Sequence, residues 1–111
     1  AILAATRITN IPLKKHRIAL LGAGSAGCGI SEQLIHAMIS QGLNEAEARS
    51  LFYLVDRNGL LHDDMSDLLD FQKDLTQPQL SLKNWNVQNP EHISLLDVII
   101  NAQPTILLGV S

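Results

Sequence analysis

The chain has 111 residues, of which 46% are hydrophobic and 17% charged, and this composition indicates one small globular domain. Eight Lys and Arg against eleven Asp and Glu give a net charge of −3, which argues against nucleic-acid binding and against an anionic membrane surface. No apolar run approaches the roughly 20 residues of a membrane-spanning helix, and the single cysteine, Cys28, excludes an internal disulfide and fits a reducing cytoplasm.

The first part of the chain predicts a strand followed by a long helix. Ala1–Asn10 is expected to be the end of a preceding helix, and Arg17–Leu21 is a short apolar strand. Apolar residues at helical spacing then predict a helix from Ser25 to Gln41. Its buried face would comprise Ile30, Leu34, Ile35, Ala37, Met38 and Ile39.

A second helix and a second strand follow. Gly42 is expected to end the long helix with a positive φ, and Asn44 with Glu47 predicts a capping box for a short helix through Ser50. Leu51–Asp56 reads as the second strand. The pair Asn58-Gly59 favours a two-residue hairpin turn, so a short antiparallel strand is expected at Leu60–His62.

The last part of the chain predicts two more helices and a final strand. Met65–Leu75 is expected to be helical, and Pro78–Pro90 an irregular connection. Asn89 and Pro90 are expected to start a helix that runs to Ala102. Thr105–Ser111 reads as a fully buried strand whose covering elements would lie in a longer polypeptide. The alternation of strands and helices predicts a three-stranded parallel α/β core with Arg17–Leu21 in the middle.

A glycine-rich run follows the first strand and opens the long helix. Gly22-Ala23-Gly24-Ser25-Ala26-Gly27 has the G-x-G-x-x-G spacing of a dinucleotide-binding turn in a Rossmann-like domain. In such a turn the first glycine permits the tight bend, the second leaves room for a pyrophosphate, and the third allows close packing of helix and sheet. Ser25 adds a hydroxyl donor. A structural turn without a ligand is the alternative.

Asp56 ends the second strand, where a carboxylate would accept hydrogen bonds from the adenine ribose of a dinucleotide. It lies 34 positions after Gly22, farther than the usual spacing of about 20, because the Gly42–Ser50 segment lengthens the crossover. A carboxylate there repels a 2′-phosphate and favours NAD over NADP, whereas the adjacent Arg57 weakens that preference. A simple turn role for the aspartate is the alternative.

Other chemical groups are less informative. The four histidines have no metal-ligand spacing and are expected on the surface. Asp63-Asp64-Met65-Ser66-Asp67 could chelate magnesium, but a solvated helix start explains it better. Cys28 is expected either to have a pKa lowered by the helix dipole or, as the better explanation, to pack against the sheet.

Four segments in the same order resemble the cofactor domain of malic enzymes, in particular the bacterial NAD-linked members. They are Leu20–Ile30, Leu54–Leu61, Leu95–Ile99 and Pro104–Ser111, so the resemblance covers essentially the whole chain. It implies oxidative decarboxylation of (S)-malate to pyruvate and CO₂, with NAD accepting the hydride and with assistance from Mg²⁺ or Mn²⁺. Separately, the parent enzyme is expected to be a homo-oligomer.

The resemblance also implies which residues act. The family's tyrosine, lysine and Glu-Asp-Asp metal ligands would precede Ala1, and its Asn-Pro motif would follow Ser111, so neither catalytic nor metal-binding residues are expected here. Tyr53 matches no catalytic position. Gln72 falls near a position that is lysine in NADP-preferring members, which favours NAD. The expected cofactor-binding residues are Gly22, Gly24, Ser25, Ala26, Gly27, Asp56, Arg57, Gln72, Gly109, Val110 and Ser111.

Two alternatives remain open at the level of the sequence. One is a Rossmann-type module for another adenine-containing ligand, such as S-adenosylmethionine, and the other is a malolactic-type conversion of malate to lactate. Residues 1–111 are accordingly interpreted as an incomplete NAD-binding domain.

Overall fold

The computed structural model describes residues 11–110, and its centre is a four-stranded sheet. The strands are β1 (Ile18–Leu21), β2 (Phe52–Asp56), β3 (Gly59–Leu60) and β4 (Ile106–Gly109). Their order is β3-β2-β1-β4; β1 pairs in parallel with β2 and β4, and β3 pairs antiparallel with β2. The predicted three-stranded parallel core and its antiparallel hairpin strand are confirmed. The helix expected at Ala1–Asn10 lies outside the described residues.

Within residues 11–110, three α-helices flank the sheet: α1 (Ser25–Ser40), α2 (Glu45–Ser50) and α3 (Leu95–Ala102). The predicted end of α1 is confirmed, since Gly42 has a φ of +111°. The predicted capping box of α2 is confirmed too, because the Glu47 N–H donates to Asn44 Oδ1 at 2.8 Å and the Asn44 N–H donates to Glu47 Oε1 at 3.0 Å. None of the helices in residues 11–110 is long and apolar enough to cross a membrane.

Each face of the sheet packs against a different helix, because side chains alternate along a strand. On one face, Ile18 and Leu20 of β1 join the buried side of α1, which comprises Leu34, Ile35 and Met38. Ile30 and Ile39, expected on that side, are instead 36% and 37% exposed at its margins. The opposite face includes Ala19, Val55, Leu60 and, from α3, Val98.

The predicted helix at Met65–Leu75 is wrong. Only Asp70–Leu75 is helical, as a 3₁₀ helix, and the residues before it form turns and irregular chain. His62 and Gln77 form an isolated bridge, so the segment between them leaves the sheet and returns. Met65 and Leu68 pack against the hydrophobic cluster on the α1 side. Their apolar spacing therefore reflects these tertiary contacts and not a local helix.

The predicted helix start at Pro90 is also wrong. The His92 N–H donates to Asn89 O at 3.0 Å in a turn, and Leu60 of β3 donates its N–H to Ile93 O at 2.8 Å. This pairing keeps the chain out of a helix until Ser94. Ser94 then caps α3 by accepting from the Asp97 N–H at 3.1 Å. The predicted end at Ala102 is confirmed.

Two smaller predictions about the strands need correction. The turn between β2 and β3 is Arg57-Asn58, and Gly59, with a φ of +98°, already pairs with Asp56. The antiparallel strand is therefore Gly59–Leu60 and not Leu60–His62. The final strand is not fully buried, since Leu107 is 55% exposed at the edge of the sheet. Its side chain shares the face of Ala19, which α3 covers only in part.

Candidate functional site

The carboxyl ends of β1 and β2 open into one cleft of about 640 Å³, which we call the glycine cleft. The residues expected to bind a dinucleotide that line it are Gly22, Gly24, Ser25, Ala26, Gly27, Asp56, Arg57, Gln72 and Val110. Gly109 is exposed in β4 but does not line the cleft, and Ser111 lies outside the described residues. The parallel arrangement brings these segments together because parallel strands end at the same edge of a sheet.

The turn from β1 into α1 requires glycine at two positions for different reasons. Gly22 has a φ of +111°, and a Cβ there would collide with the main-chain oxygen of Val110. A Cβ on Gly27 would collide with the main-chain oxygen of Gly22. Gly22 therefore permits the bend beside β4, and Gly27 permits the helix to pack closely against the turn.

Gly24 differs from the other two glycines of the motif. It has an ordinary φ of −81°, and a Cβ there would meet nothing within 4 Å. The fold alone therefore does not demand glycine at this position. The open space beside its backbone is where a ligand could approach closely.

The N-terminus of α1 faces this open space. Gly24 is the N-cap, and no side chain of residues 11–110 caps this end. The first N–H groups of an α-helix have no partner within the helix, and the helix dipole makes this end partly positive. Ser25 and Ala26 are both exposed and line the cleft. This arrangement is able to bind an anion such as a phosphate group.

Asp56 lies at the end of β2, half-buried, on the other side of the cleft. Its Oδ1 accepts from the Asn58 N–H at 2.8 Å, which is a turn interaction. Its Oδ2 accepts from Nε2 of Gln72 at 3.4 Å. A carboxylate accepts about four hydrogen bonds, so capacity remains for donors from a ligand.

Gln72 is buried at 5% exposure and contacts both sides of the cleft. Besides Asp56, its Nε2 donates to the main-chain oxygen of Ala23 at 2.8 Å, and its Oε1 accepts from the Leu69 N–H at 3.0 Å. The 3₁₀ helix Asp70–Leu75 thus holds the glycine turn and the Asp56 carboxylate in one hydrogen-bonded unit.

Sequence reasoning missed part of the cleft. Leu69, which is 55% exposed, lines it, as do Val55 and the exposed Leu21. Leu69 belongs to the segment for which a helix was wrongly predicted, and no local pattern places that segment beside α1. Leu21 and Val55, by contrast, precede Gly22 and Asp56 directly, so strand order alone could have indicated them.

A second cavity of about 540 Å³ adjoins the glycine cleft, and Asp56 and Gln72 line both. Its acidic residues include Asp64, Asp67 and Glu91. Within residues 11–110, no group of three or more His, Cys, Asp or Glu side chains is arranged to hold a metal ion. The acids of the Asp63–Asp67 segment are exposed, as expected, but they lie in turns and not at a helix start.

Cys28 and the four histidines do not line the glycine cleft. Cys28 is buried in the hydrophobic cluster on the α1 side, where burial and, to a smaller extent, the charges of Glu32 and Asp56 raise its pKa to about 11. The expectation that Cys28 packs against the sheet is therefore confirmed, and the expectation that the helix dipole lowers its pKa is wrong. His36 and His92 are exposed as expected, and His62 is partly buried.

His16 contradicts the expectation of surface histidines, because it is only 5% exposed. Its Nδ1 lies 3.0 Å from the Thr105 hydroxyl oxygen, which links the chain before β1 to the chain before β4. This contact lies at the edge of the sheet opposite the glycine cleft. Tyr53 is half-buried in β2 beside Trp85, with ring centroids 5.9 Å apart, and is likewise remote from the cleft.

Comparisons with known proteins agree on one family. The family described as malic enzyme, NAD binding domain, matches residues 1–111. The chain is similar to proteins named NAD-dependent malic enzyme from Shewanella woodyi (51% identity over 111 residues) and Photorhabdus laumondii (50% over 111 residues), with all of the chain covered. A protein of that name from Pseudomonas aeruginosa is 51% identical over 110 residues, 99% of the chain. The chain spans about 20% of the length of each of these relatives.

Proposed function

Because the chain belongs to the family of malic enzyme NAD-binding domains, we propose that the glycine cleft binds NAD for the oxidative decarboxylation of (S)-malate to pyruvate and CO₂. NAD, when bound, supplies the acceptor for the hydride that leaves C2 of malate. The observation that carries the proposal is the open space beside Gly24 at the uncapped N-terminus of α1, opposite the Asp56 carboxylate.

The pyrophosphate fits the glycine turn. Gly24 leaves its backbone accessible, and the free N–H groups of the first turn of α1 would donate to phosphate oxygens. The Ser25 hydroxyl, exposed in the cleft, adds a donor, and Ala26 and Gly27 contribute main-chain contacts.

The adenine ribose fits beside Asp56. Its two hydroxyls are donors, and the carboxylate has unused acceptor capacity after its bonds to Asn58 and Gln72. A 2′-phosphate would instead face this carboxylate and the acidic cavity next to it, which favours NAD over NADP. Arg57, exposed next to Asp56, moderates this preference. Val110, directly after β4, would line the cleft from the side of that strand.

In this proposal the chain binds NAD, and other parts of a malic enzyme carry out the chemistry on malate. The acid–base residues and a site for Mg²⁺ or Mn²⁺ would belong to those other parts. We also propose a homo-oligomeric assembly in the cytoplasm, where a free thiol such as that of Cys28 stays reduced.

The experiment is an equilibrium titration of the complete polypeptide with NAD, NADP and S-adenosylmethionine, followed by an assay with malate and Mn²⁺. We expect binding of NAD, at least tenfold weaker binding of NADP, and formation of pyruvate and NADH in equal amounts. Binding of S-adenosylmethionine in place of NAD would contradict the proposal, and formation of lactate would assign the malolactic reaction instead.

A further inference from the structure

The side-chain amide of Gln72 forms its hydrogen bonds with other groups of the protein. Its Nε2 has two N–H donors, which meet Ala23 O and Asp56 Oδ2, and its Oε1 accepts from the Leu69 N–H. The three partners fix the orientation of the amide, because the nitrogen faces two acceptors and the oxygen faces a donor. Gln72 is only 5% exposed to solvent.

We propose that Gln72 is a positioning residue, which acts on NAD through Asp56 and the glycine turn and not by binding the cofactor itself. This inference rests on the proposed function and deepens it. The two groups that Gln72 joins come from different parts of the chain: Ala23 lies in the turn after β1 and Asp56 at the end of β2, 49 and 16 residues before Gln72. Their separation determines whether one dinucleotide can contact both.

The need for such a residue follows from the freedom of an aspartate side chain. The terminal torsion of aspartate is broad, so a carboxylate held at one oxygen can still rotate. Asn58 holds Oδ1 of Asp56, and Gln72 holds Oδ2. Because both oxygens are held, the free acceptor sites of the carboxylate stay oriented towards the ribose hydroxyls. The side chain therefore loses less conformational entropy when NAD binds.

A second buried glutamine provides a matched control. Gln77 is also 5% exposed, and its Nε2 also donates to two acceptors, Ser50 O at 3.1 Å and Phe52 O at 2.7 Å. Ser50 ends α2 and Phe52 begins β2, whereas Asp56 lies at the other end of β2. Loss of the Gln77 amide therefore removes comparable hydrogen bonds without touching the glycine cleft.

The first test compares Gln72→Met with Gln77→Met in the complete polypeptide. Methionine keeps the approximate length of glutamine and removes both hydrogen-bonding groups. For Gln72→Met we expect a roughly tenfold rise in the Kd of NAD, by equilibrium titration, and a rise in KM for NAD that exceeds any fall in kcat. Gln77→Met should lower the melting temperature and leave the Kd within about twofold of wild type.

Equal Kd values for Gln72→Met and wild type would overturn the inference, whereas absence of NAD binding by wild type would overturn the proposed function. Should Gln72→Met not fold, Gln72→Glu serves as the second variant. Its carboxylate keeps the acceptor for Leu69 and loses both donors, so the same weakening of NAD binding is expected. A Kd equal to wild type would again count against the inference.

A double-mutant cycle separates positioning from general destabilisation. If Gln72 acts mainly by holding Asp56, its removal should matter little once Asp56 is gone. We expect the double variant Gln72→Met/Asp56→Ala to bind NAD no more than about threefold more weakly than Asp56→Ala. If Gln72→Met raises the Kd of NAD in the Asp56→Ala variant by the same factor as in wild type, the inference is overturned. The cycle of Gln77→Met with Asp56→Ala should show no coupling.

Discussion

The main-chain N–H of Asn58 donates to Oδ1 of Asp56 at 2.8 Å, so the turn between β2 and β3 orients the carboxylate at the end of β2. This is a local interaction between residues two apart. It places an oriented acceptor opposite the N-terminus of α1, across a cleft of about 640 Å³.

Replacement of Asp56 by alanine should weaken NAD binding and relax discrimination against NADP. Each charge-assisted hydrogen bond to a ribose hydroxyl contributes roughly 1.5–3 kcal/mol. We therefore expect KM for NAD to rise by about one to two orders of magnitude, while KM for NADP changes less because a repulsive charge is removed. Steady-state kinetics with both cofactors measures the effect.

Asp70→Ala is the control for this substitution. Asp70 also carries a negative charge, but its side chain is 97% exposed, pairs with Lys73 and does not line the glycine cleft. Its removal should leave both Michaelis constants close to wild type. An Asp56→Ala enzyme with an unchanged ratio of NAD to NADP efficiency would contradict the assignment of the ribose contact.

Gly24→Val should abolish NAD binding and leave the protein folded. Nothing lies within 4 Å of a Cβ at this position, and the φ of −81° suits an L-residue, so the fold tolerates the side chain. The valine would occupy the space proposed for the pyrophosphate. We expect loss of binding in an equilibrium titration with little change in melting temperature. Gly29→Val, also on α1 with an open Cβ position, should bind NAD normally.

The fold was predictable from the sequence where the sequence signal is local. Apolar spacing located β1 and α1, and the pair Asn44 and Glu47 located the capping box of α2. The Met65–Leu75 segment could not be predicted in this way, because Met65 and Leu68 pack against the hydrophobic cluster on the α1 side and Gln72 bonds to Ala23, which is 49 residues away. Local periodicity carries no information about such contacts.

The candidate site divides in the same manner. Gly22, Gly24, Gly27 and Asp56 were recognisable because each follows directly from a strand end and a known turn geometry. The hydrogen bond between Gln72 and Asp56 was not, since it depends on how a segment of irregular chain returns to the sheet.

Gly27→Ala should destabilise the protein instead of affecting NAD directly. A Cβ there would collide with Gly22 O and would lie 2.9 Å from Cδ2 of Leu20, which is fully buried. Overpacking of this kind typically costs about 1–3 kcal/mol. Denaturant unfolding should show this loss, whereas Gly29→Ala, which meets no neighbour, should be neutral or stabilising by up to about 1 kcal/mol. Equal stability of the two variants would contradict the packing described for the turn.

The Cys28 thiol should be unreactive at neutral pH in the folded protein. Burial, with smaller contributions from Glu32 and Asp56, raises its pKa from 9.0 to about 11, so the thiolate is scarce in the native state. The unfolded chain ionises first, so this contribution to stability is present below pH 9 and is lost as pH rises towards 11. Thiol titration at pH 8 should be slow until denaturant is added. Rapid modification of the native protein would contradict the buried position.

Binding of NAD between the glycine turn and Asp56 can be located by hydrogen exchange of the complete polypeptide with and without NAD. We predict increased protection in peptides that cover residues 22–28 and 56–58, because these amides would contact or adjoin the bound cofactor. The peptide that covers Gln79–Leu82, which lies outside the cleft, should be unchanged. Protection by NAD elsewhere, without any change at residues 22–28 and 56–58, would contradict the account.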